Sequence, residues 1–348
     1  MKEIPAGPLR KQRQLHAAAS EASQARGITT GLDRYRLVHQ GLPELSLESV
    51  DTSTTFLGHA LSAPLIIASM TGGTDEAGII NRRLAIAAQE TGIAMGVGSQ
   101  RVALENGSVA ATFQVRGYAP DIMLFANLGA VQLNYGYGPD QCRRAIEMIE
   151  GDALFLHINP MQESVQVGGD TDFCGLLGKI GSIVRALDPV PVLAKEVGNG
   201  VSERMARQLI DVGVAGIDVG GAGGTAFQQV EELVGEDAEL AAIASAFMGW
   251  GIPLVDSLRA VRSCSMHLPL IATGGIRSGV DVAKALALGA NLCGMASPFL
   301  RAAMESEAAV VARIRELVGV LRRVMFLTAA SSVEELRGHP EVLVRVSP

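Results

Sequence analysis

Two segments in the C-terminal third of the chain, one of them glycine-rich, could bind phosphate. Residues 274–277 read Gly-Gly-Ile-Arg, and residues 296–297 read Ala-Ser; each segment follows a short apolar run. Glycine-rich loops that lead into helix N-termini expose backbone N–H groups, and such groups bind phosphate. The two segments therefore predict a ligand with a phosphate group, a pair of tight turns without a ligand being the alternative.

Lys195 is the second candidate, because it ends the apolar run 192–195 (VLAK). An unpaired ammonium group is unfavourable in a buried strand, so Lys195 needs an anionic or electron-rich partner. It could be a Schiff-base lysine or a cation beside an electron-rich cofactor ring. Glu196 points to the opposite face of the strand and is expected to be structural, with a neighbouring helix as one possible anchor.

The segment 157–163 (HINPMQE) adds a histidine, amides and a carboxylate. His157 could transfer a proton or donate a hydrogen bond to an anion. Mg²⁺ is commonly held by one or two carboxylates together with substrate phosphates and water. Glu163 is therefore a candidate magnesium ligand, a solvated loop acid being the alternative.

These segments follow short apolar runs that recur along the chain. Such runs, bounded by turn signals, are typical of strands buried on both faces of a parallel sheet. We identify eight of them, at residues 64–70, 93–97, 122–126, 153–158, 192–195, 216–219, 270–273 and 292–295.

The segments between the runs have the signals of helices. Residues 81–91 end at a glycine, residues 281–289 begin with an acid and end on glycine, and residues 202–213 open with a capping serine. Eight alternating strands and helices predict an α/β protein with a (β/α)₈ TIM barrel, an eight-stranded doubly wound sheet being the alternative. Polar residues at the C-terminal ends of the strands would then form an active site.

We expect one domain over residues 1–348, with an N-terminal extension at 1–63 and an insertion after strand six at 226–268. The insertion, with a helical stretch at 231–240, is either a lid over the site or a solvated decoration. Residues 51–55 are expected to form a bend or an edge strand, and residues 305–327 a closing helix.

Composition excludes several classes of function. The net charge of −7, with one Trp and four Tyr, argues against nucleic-acid binding. No apolar stretch reaches the roughly 18–20 residues of a membrane span. The N-terminus lacks the apolar region of a secretory signal, and four cysteines without metal-binding spacing predict reduced thiols. We therefore expect a cytoplasmic protein.

Taken in order, the motifs resemble the type 2 isopentenyl diphosphate isomerases, flavin-dependent barrel enzymes of isoprenoid biosynthesis. The block containing Gln162 and Glu163 is the most specific part of this resemblance. The matching segments cover about residues 64–300 and are 70–73 (MTGG), 98–101 (GSQR), 127–130 (NLGA), 157–163 (HINPMQE), 169–173 (GDTDF), 195–198 (KEVG), 223–225 (GGT) and 274–279 (GGIRSG).

The resemblance implies an FMN- and Mg²⁺-dependent interconversion of isopentenyl and dimethylallyl diphosphate. Reduced flavin would move the proton, with NADPH as the reductant, and no catalytic side chain is identified. FMN would be bound by Ser69, Met70, Thr71, Gly72, Ser99, Asn127, Lys195, Thr225, Gly275, Ile276, Arg277, Ala296 and Ser297. The substrate would be bound by Arg10, Lys11, Ser99, Gln100, Arg101, His157, Asn159 and Gln162. Glu163 would hold Mg²⁺ against the diphosphate, and the assembly would be a homotetramer or homo-octamer.

One N-terminal motif departs from the family pattern. Members of the family carry Arg-Lys followed three residues later by His, which clamps the diphosphate. In this chain Arg10 and Lys11 are followed at that position by Gln14, and His16 comes two residues late. Either a local change of register preserves the clamp or substrate binding differs.

The alternatives are an FMN-dependent barrel oxidoreductase and a non-catalytic flavin-binding homologue, the latter suggested by the altered clamp. A 2-hydroxy-acid oxidase would need a histidine in the later barrel loops, but after residue 199 only His267 and His339 occur, neither at a predicted strand end. An inosinate dehydrogenase would need a cysteine after strand six, and residues 220–227 contain none.

Overall fold

Eight parallel strands close into a barrel in the computed structural model of the chain. The strands pair in chain order, and the last pairs with the first. They are β1 Leu65–Ile67, β2 Ala94–Gly96, β3 Leu124–Gly129, β4 Ala153–Ile158, β5 Val192–Glu196, β6 Gly216–Asp218, β7 Leu270–Ala272 and β8 Leu292–Met295. The predicted TIM barrel is confirmed, and the doubly wound sheet is excluded because that sheet would have two open edges.

The structure describes residues 7–235 and 237–346, and for residues 7–12, 338 and 340 it describes the backbone alone. The helices in these ranges are α1 Gly7–Ala19, α2 Asp75–Thr91, α3 Arg101–Glu105, α4 Pro139–Ile149, α5 Pro160–Val165, α6 Leu176–Leu187, α7 Glu203–Asp211, α8 Phe227–Val234, α9 Ala238–Ala246, α10 Leu254–Cys264, α11 Gly279–Ala287, α12 Ser297–Glu305, α13 Glu307–Leu327 and α14 Val333–Gly338. Within these ranges, none has the length and hydrophobicity of a membrane span.

Sequence signals account for the ends of the barrel helices. Ser202 caps α7 by accepting the N–H of Met205, as predicted. α2 begins six residues before the predicted start, where Thr74 caps it, and ends at Gly92 with a φ of 66°. That left-handed conformation is one that glycine adopts without the steric cost of a Cβ.

The predicted single helical stretch 231–240 is wrong, because the structure has two helices there. α8 ends before Gly235, and α9 begins at Ala238. Asp237 caps the second helix by accepting the N–H groups of Glu239 and Leu240. A capping acid next to a glycine favours a new helix start over a continuous helix.

The barrel interior is apolar along its N-terminal half. Phe125 and Phe155 stack there with ring centroids 4.4 Å apart. An antiparallel hairpin, Thr54–Phe56 paired with His59–Leu61, adds Phe56 and Leu61 to the same cluster. The segment 51–55 thus leads into a strand whose side chains close this end of the barrel.

Candidate active site

A row of polar side chains lies at the C-terminal ends of the strands, above the apolar interior. Side chains alternate between the two faces of a strand, so a residue two positions after an inward apolar residue also points inward. In β4, Phe155 is in the interior cluster and His157 follows it; in β5, Leu193 precedes Lys195 in the same way. The row consists of Asn127, His157, Lys195, Asp218 and Thr273.

Lys195 has its anionic partner on the neighbouring strand. Its Nζ lies 3.1 Å from Oδ2 of Asp218 and also donates to the carbonyl oxygen of Glu196 at 3.1 Å. The Thr273 hydroxyl donates to the other oxygen of Asp218, and both charged residues are buried, at 7% and 2% exposure. A Schiff-base lysine must react as a neutral amine, so this ion pair favours the role of a fixed cation.

Asp218 has no role assigned from the sequence, although it is one of the polar residues at the strand ends that predict an active site. A signal existed, because Asp218 lies in the sixth apolar run, one residue before its end, and Lys195 ends the fifth run. Register confirms this, since Lys195 is opposite Asp218 in the pairing of β5 with β6.

The neighbours of His157 define its hydrogen-bonding state. Asn127 donates its amide to the carbonyl of Val97 at 3.1 Å, which turns its oxygen toward Nδ1 of His157 at 2.8 Å. Nδ1 is therefore the protonated nitrogen, and Nε2 is an acceptor. Burial, and to a smaller extent the positive charge of Lys195, lower the pKa of His157 to about 4. His157 is neutral near pH 7 and offers an acceptor rather than a positive charge.

Glu163 is buried and tightly held in α5, the short helix that follows β4. Its Oε1 accepts the amide of Asn159 at 2.9 Å, and its Oε2 accepts the N–H of Asp170 at 2.7 Å and the amide of Gln166. At 7% exposure, Glu163 is not a solvated loop acid. A carboxylate has about four acceptor positions, so one remains for a cation.

Within the described residues, no group of three or more His, Cys, Asp and Glu side chains could hold a metal ion. A metal at Glu163 would therefore take its other ligands from water and substrate oxygens, as Mg²⁺ often does. Gln162 lies beside this carboxylate, and its Oε1 accepts the amide of Asn159 at 3.1 Å.

The loops after β7 and β8 present unused donors. Among the described residues, the backbone N–H groups of Gly275, Ile276 and Ala296 have no hydrogen-bond partner. The hydroxyl of Ser297, in the first turn of α12, is buried and also unpartnered. Gly274 and Gly275 have φ values of 108° and 86°, so the first loop needs glycine. These donors fit a phosphate group.

The N-terminal segment lies against the loop after β7. Arg277 donates to the side-chain oxygen of Gln24, and Gln24 donates to the hydroxyl of Thr225 at 3.4 Å. Burial lowers the pKa of Arg277, and the charges of Arg301 and Arg313 lower it further. Three arginines therefore lie near one loop; the sequence reasoning identified only Arg277, since the other two lie on helices α12 and α13.

The remaining predicted cofactor residues follow β1 and β2. Ser69 has a buried hydroxyl without a partner in the described structure, and Met70, Thr71 and Ser99 are partly exposed. Gly72 is buried, and a Cβ there would lie 2.0 Å from the Phe113 ring. All five are at the C-terminal ends of their strands.

Gln100 is not with the other predicted substrate residues. It is fully buried and donates to the carbonyl of Ala145 in α4 at 2.7 Å. Its oxygen accepts the N–H of Asn127 at 2.9 Å. The structure places Gln100 beneath the outer helix, where it holds the loop after β2 against β3.

The N-terminal helix does not restore the family clamp through His16. Gln14 donates to Glu231 of α8 at 2.7 Å, and His16 lies 3.2 Å from Glu76 of α2. Arg10 and Lys11 are in α1, but their side chains lie outside the described part of the structure.

Comparison with known proteins identifies the family. The family described as FMN-dependent dehydrogenase matches residues 179–344. Isopentenyl-diphosphate delta-isomerases of Nostoc sp. and Synechococcus sp. are each 52% identical, over 94% and 97% of this chain and 93% and 96% of theirs. That of Stutzerimonas stutzeri is 53% identical over 88% of this chain and 89% of its own.

Solved structures share the fold at low identity. A mandelate oxidase variant with benzaldehyde superposes with a TM-score of 0.68 at 20% identity, over 95% of this chain and 93% of that one. A flavocytochrome b2 variant with benzoylformate gives 0.69 at 19% identity, over 97% and 84%. The isomerases of Nostoc sp. and Synechococcus sp. are each 52% identical to this chain over 94% or more of its length. The chain therefore belongs to the isopentenyl-diphosphate delta-isomerase family.

Proposed function

We propose that this chain is an FMN-dependent isopentenyl-diphosphate isomerase that uses Mg²⁺. The family membership at 52% identity over 94% of the chain is the observation that carries the proposal. The barrel mouth supports it, because it offers unpartnered donors for a phosphorylated cofactor and one acceptor position on a buried carboxylate.

The residues divide by the part of the ligands that they would contact. The donors on Gly275, Ile276, Ala296 and Ser297 would bind the FMN phosphate, and Arg277 would supply positive charge nearby. Thr225 and the unpartnered hydroxyl of Ser69 would complete the cofactor site, together with Met70, Thr71, Gly72, Ser99, Asn127 and Lys195. When bound and reduced, FMN would supply the proton-transfer chemistry of the allylic shift.

The protein's own contribution to the reaction is binding and orientation. Lys195, fixed by Asp218, would place a positive charge at the mouth, and neutral His157 would present Nε2 as a hydrogen-bond acceptor. Arg101, Asn159 and Gln162 would bind the substrate with Ser99, Arg10 and Lys11. Glu163 would hold Mg²⁺ through one oxygen, the diphosphate and water supplying the other ligands.

The decisive experiment is an anaerobic assay of the purified protein with reduced FMN, Mg²⁺ and isopentenyl diphosphate. We expect yellow protein as isolated and conversion to dimethylallyl diphosphate. Bound FMN without conversion would overturn the proposal and favour an oxidoreductase or a non-catalytic homologue. A protein that binds no FMN would eliminate all three.

The Glu163→Gln variant tests the metal site. We expect the turnover of this variant no longer to depend on Mg²⁺, while FMN stays bound. The reason is that an amide is a weak ligand for a hard cation. Glu147→Gln, on the exposed face of α4, is the matched control and should respond to Mg²⁺ like the wild type. Unchanged turnover and Mg²⁺ dependence in Glu163→Gln would remove Glu163 from the site.

The oxidoreductase alternative is supported by the FMN-dependent dehydrogenase match over residues 179–344. Its required histidine is not at the mouth, since His267 is exposed after α10 and His339 is exposed after α14.

The resemblance also leads us to propose NADPH as the reductant, a homotetramer or homo-octamer as the assembly and a cytoplasmic location. Anaerobic oxidation of NADPH, light scattering of the purified protein and cell fractionation test them.

A further inference from the structure

The loop after α5 is attached to the segment that follows β3. Asn134 donates to the carbonyl of Asp172 at 2.8 Å, and the N–H of Asp172 donates to the hydroxyl of Tyr135 at 3.1 Å. Gly169 lies so close to α5 that a Cβ there would be 1.9 Å from the carbonyl oxygen of Glu163. The loop is thus fixed on both sides of Asp170.

Asp170 connects three loops of the barrel mouth. Its Oδ2 accepts Nη1 of Arg101 at 2.6 Å and the amide of Gln132 at 3.1 Å. Its backbone N–H donates to Oε2 of Glu163 at 2.7 Å. One residue therefore contacts the proposed substrate-binding arginine after β2, the segment after β3 and the proposed metal ligand after β4.

Arg101 needs such a partner to have a defined position. Its side chain is 43% exposed, whereas that of Asp170 is 16% exposed. A long exposed arginine samples many rotamers, and a charge-assisted hydrogen bond to a more buried carboxylate restricts them. Arg101 uses Nη1 for Asp170 and Nε for Glu105 at 2.9 Å. In the described structure Nη2 has no partner, so it can donate to an anionic oxygen.

We propose that Asp170 is a positioning residue for the diphosphate end of the substrate. It orients Arg101 so that Nη2 meets a phosphate oxygen, and it keeps that arginine at a constant distance from Glu163. This inference rests on the proposed function.

Asp170→Asn tests the proposal because it removes the charge and keeps the shape. We expect KM for isopentenyl diphosphate to rise about tenfold, with a smaller change in kcat, since the neutral amide holds Arg101 by a weaker hydrogen bond than the carboxylate does. In an Arg101→Met background, the same substitution should change KM by less than about twofold, because its effect passes through Arg101.

Asp172→Asn is the matched control, since its exposed side chain accepts only the N–H of Cys174 within the loop. It should leave KM within about twofold of the wild-type value. A KM that is unchanged or lowered in Asp170→Asn overturns the inference. So does an equal rise in both backgrounds, which would show that Asp170 acts independently of Arg101.

Calorimetry with inorganic pyrophosphate and the FMN-loaded protein separates this inference from the proposed function. We expect the same pattern in the dissociation constant of pyrophosphate, namely a rise of about tenfold with Arg101 present and little change without it. If the wild type binds pyrophosphate with this coupling but does not isomerise, the proposed function fails and the positioning role stands. If it isomerises without the coupling, only the positioning role fails.

Discussion

Of the six buried side-chain atoms without a partner in the described structure, three lie one or two residues after the end of a barrel strand. They are Oγ of Ser69 after β1, Oδ1 of Asn159 after β4 and Oγ of Ser297 after β8. An unsatisfied buried polar group costs about 1–3 kcal/mol, so each such atom needs an explanation. The position of all three at the C-terminal ends of strands is explained if bound ligands complete their hydrogen bonds.

Ser297→Ala separates binding from stability at one of these atoms. The substitution removes an unsatisfied hydroxyl, so the free energy of unfolding of the FMN-free protein should stay constant or rise by up to about 1 kcal/mol. The dissociation constant of FMN should rise about fivefold to tenfold, because a phosphate contact is lost. Urea unfolding and quenching of flavin fluorescence measure the two quantities.

Ser257→Ala is the control with the opposite pattern. The hydroxyl of Ser257 is fully buried and accepts the N–H of Val201 at 3.0 Å. Its loss should lower stability by about 1 kcal/mol and leave FMN affinity unchanged. A destabilised Ser297→Ala protein with normal FMN affinity would contradict the assignment of Ser297 to the cofactor.

Acid stability provides a test of the neutral form of His157. Burial lowers the folded-state pKa of His157 to about 4, from 6.5 in the unfolded chain. Between pH 6.5 and 4 the unfolded state therefore binds a proton that the folded state does not, and stability falls as the pH falls. Relative to His157→Gln, the wild type should lose at most roughly 1.4 kcal/mol per pH unit in this window.

The comparison uses urea midpoints of both proteins from pH 7.5 to 4. Above pH 6.5 the difference between the two proteins should be constant, because the unfolded histidine is then mostly neutral as well. His267→Gln, at an exposed position, controls for the loss of a histidine and should keep the wild-type slope. Parallel slopes for wild type and His157→Gln would show that the pKa of His157 is not lowered in the folded protein.

At the scale of elements, apolar runs were sufficient to locate the strands. β4 and β8 have the predicted bounds 153–158 and 292–295, while β1 is confined to three residues within the predicted 64–70. The runs are reliable because each barrel strand is buried on both faces. The helices of the insertion were harder to predict, because their ends depend on Gly235 and on the cap at Asp237.

The insertion 226–268 has a contact that its sequence did not indicate. Met161 and Val165 of α5 form a small apolar cluster with Ala244 of α9, and Phe247 packs against it. α5 carries Gln162 and Glu163, so the insertion supports the helix of the proposed metal ligand. The contact depends on tertiary packing between segments about 80 residues apart, and a lid role of the insertion stays a prediction.

The ion pair between Lys195 of β5 and Asp218 of β6 predicts that removal of one partner destabilises the folded protein. Asp218→Asn leaves the Lys195 ammonium group buried without a counter-charge, which should lower the free energy of unfolding by about 3 kcal/mol. Asp256→Asn breaks an exposed ion pair with Arg34, whose side chains are 32% and 40% exposed, and should cost less than about 1 kcal/mol.

Thermal or urea unfolding of the FMN-free proteins measures both effects. The double variant Lys195→Met with Asp218→Asn should recover part of the loss, because it removes the uncompensated charge. Equal costs for Asp218→Asn and Asp256→Asn would mean that Lys195 reaches solvent and that the charge at the mouth is not fixed by Asp218.

For the whole molecule, the sequence predicted the barrel but not how the chain ends attach to it. The strand Tyr35–Leu37 pairs antiparallel with Leu343–Arg345, which joins the N-terminal extension to the C-terminus. α1 packs on α8 and α12, the helices that follow β6 and β8. These pairings join distant segments, and a short run of alternating residues does not specify its partner strand.

Because the proposed FMN contacts come from strand ends all around the barrel, the cofactor should stabilise the fold as a unit. A ligand at 100 times its dissociation constant adds about 2.7 kcal/mol to the free energy of unfolding. We expect the unfolding midpoint of the FMN-free protein to rise by several degrees on addition of FMN. Riboflavin, which lacks the phosphate, should raise it much less at equal concentration, because the donors on Gly275, Ile276 and Ala296 would stay unpaired.

Differential scanning fluorimetry across a concentration series of each flavin makes this comparison. In Ser297→Ala the FMN-induced shift should shrink, while the small shift with riboflavin stays the same, because the altered hydroxyl would contact the phosphate alone. Equal shifts with FMN and riboflavin in the wild type would place the phosphate outside the loops after β7 and β8. Those loops follow the neighbouring strands β7 and β8 on one side of the mouth. A phosphate bound elsewhere would therefore require a different orientation of the flavin across the mouth.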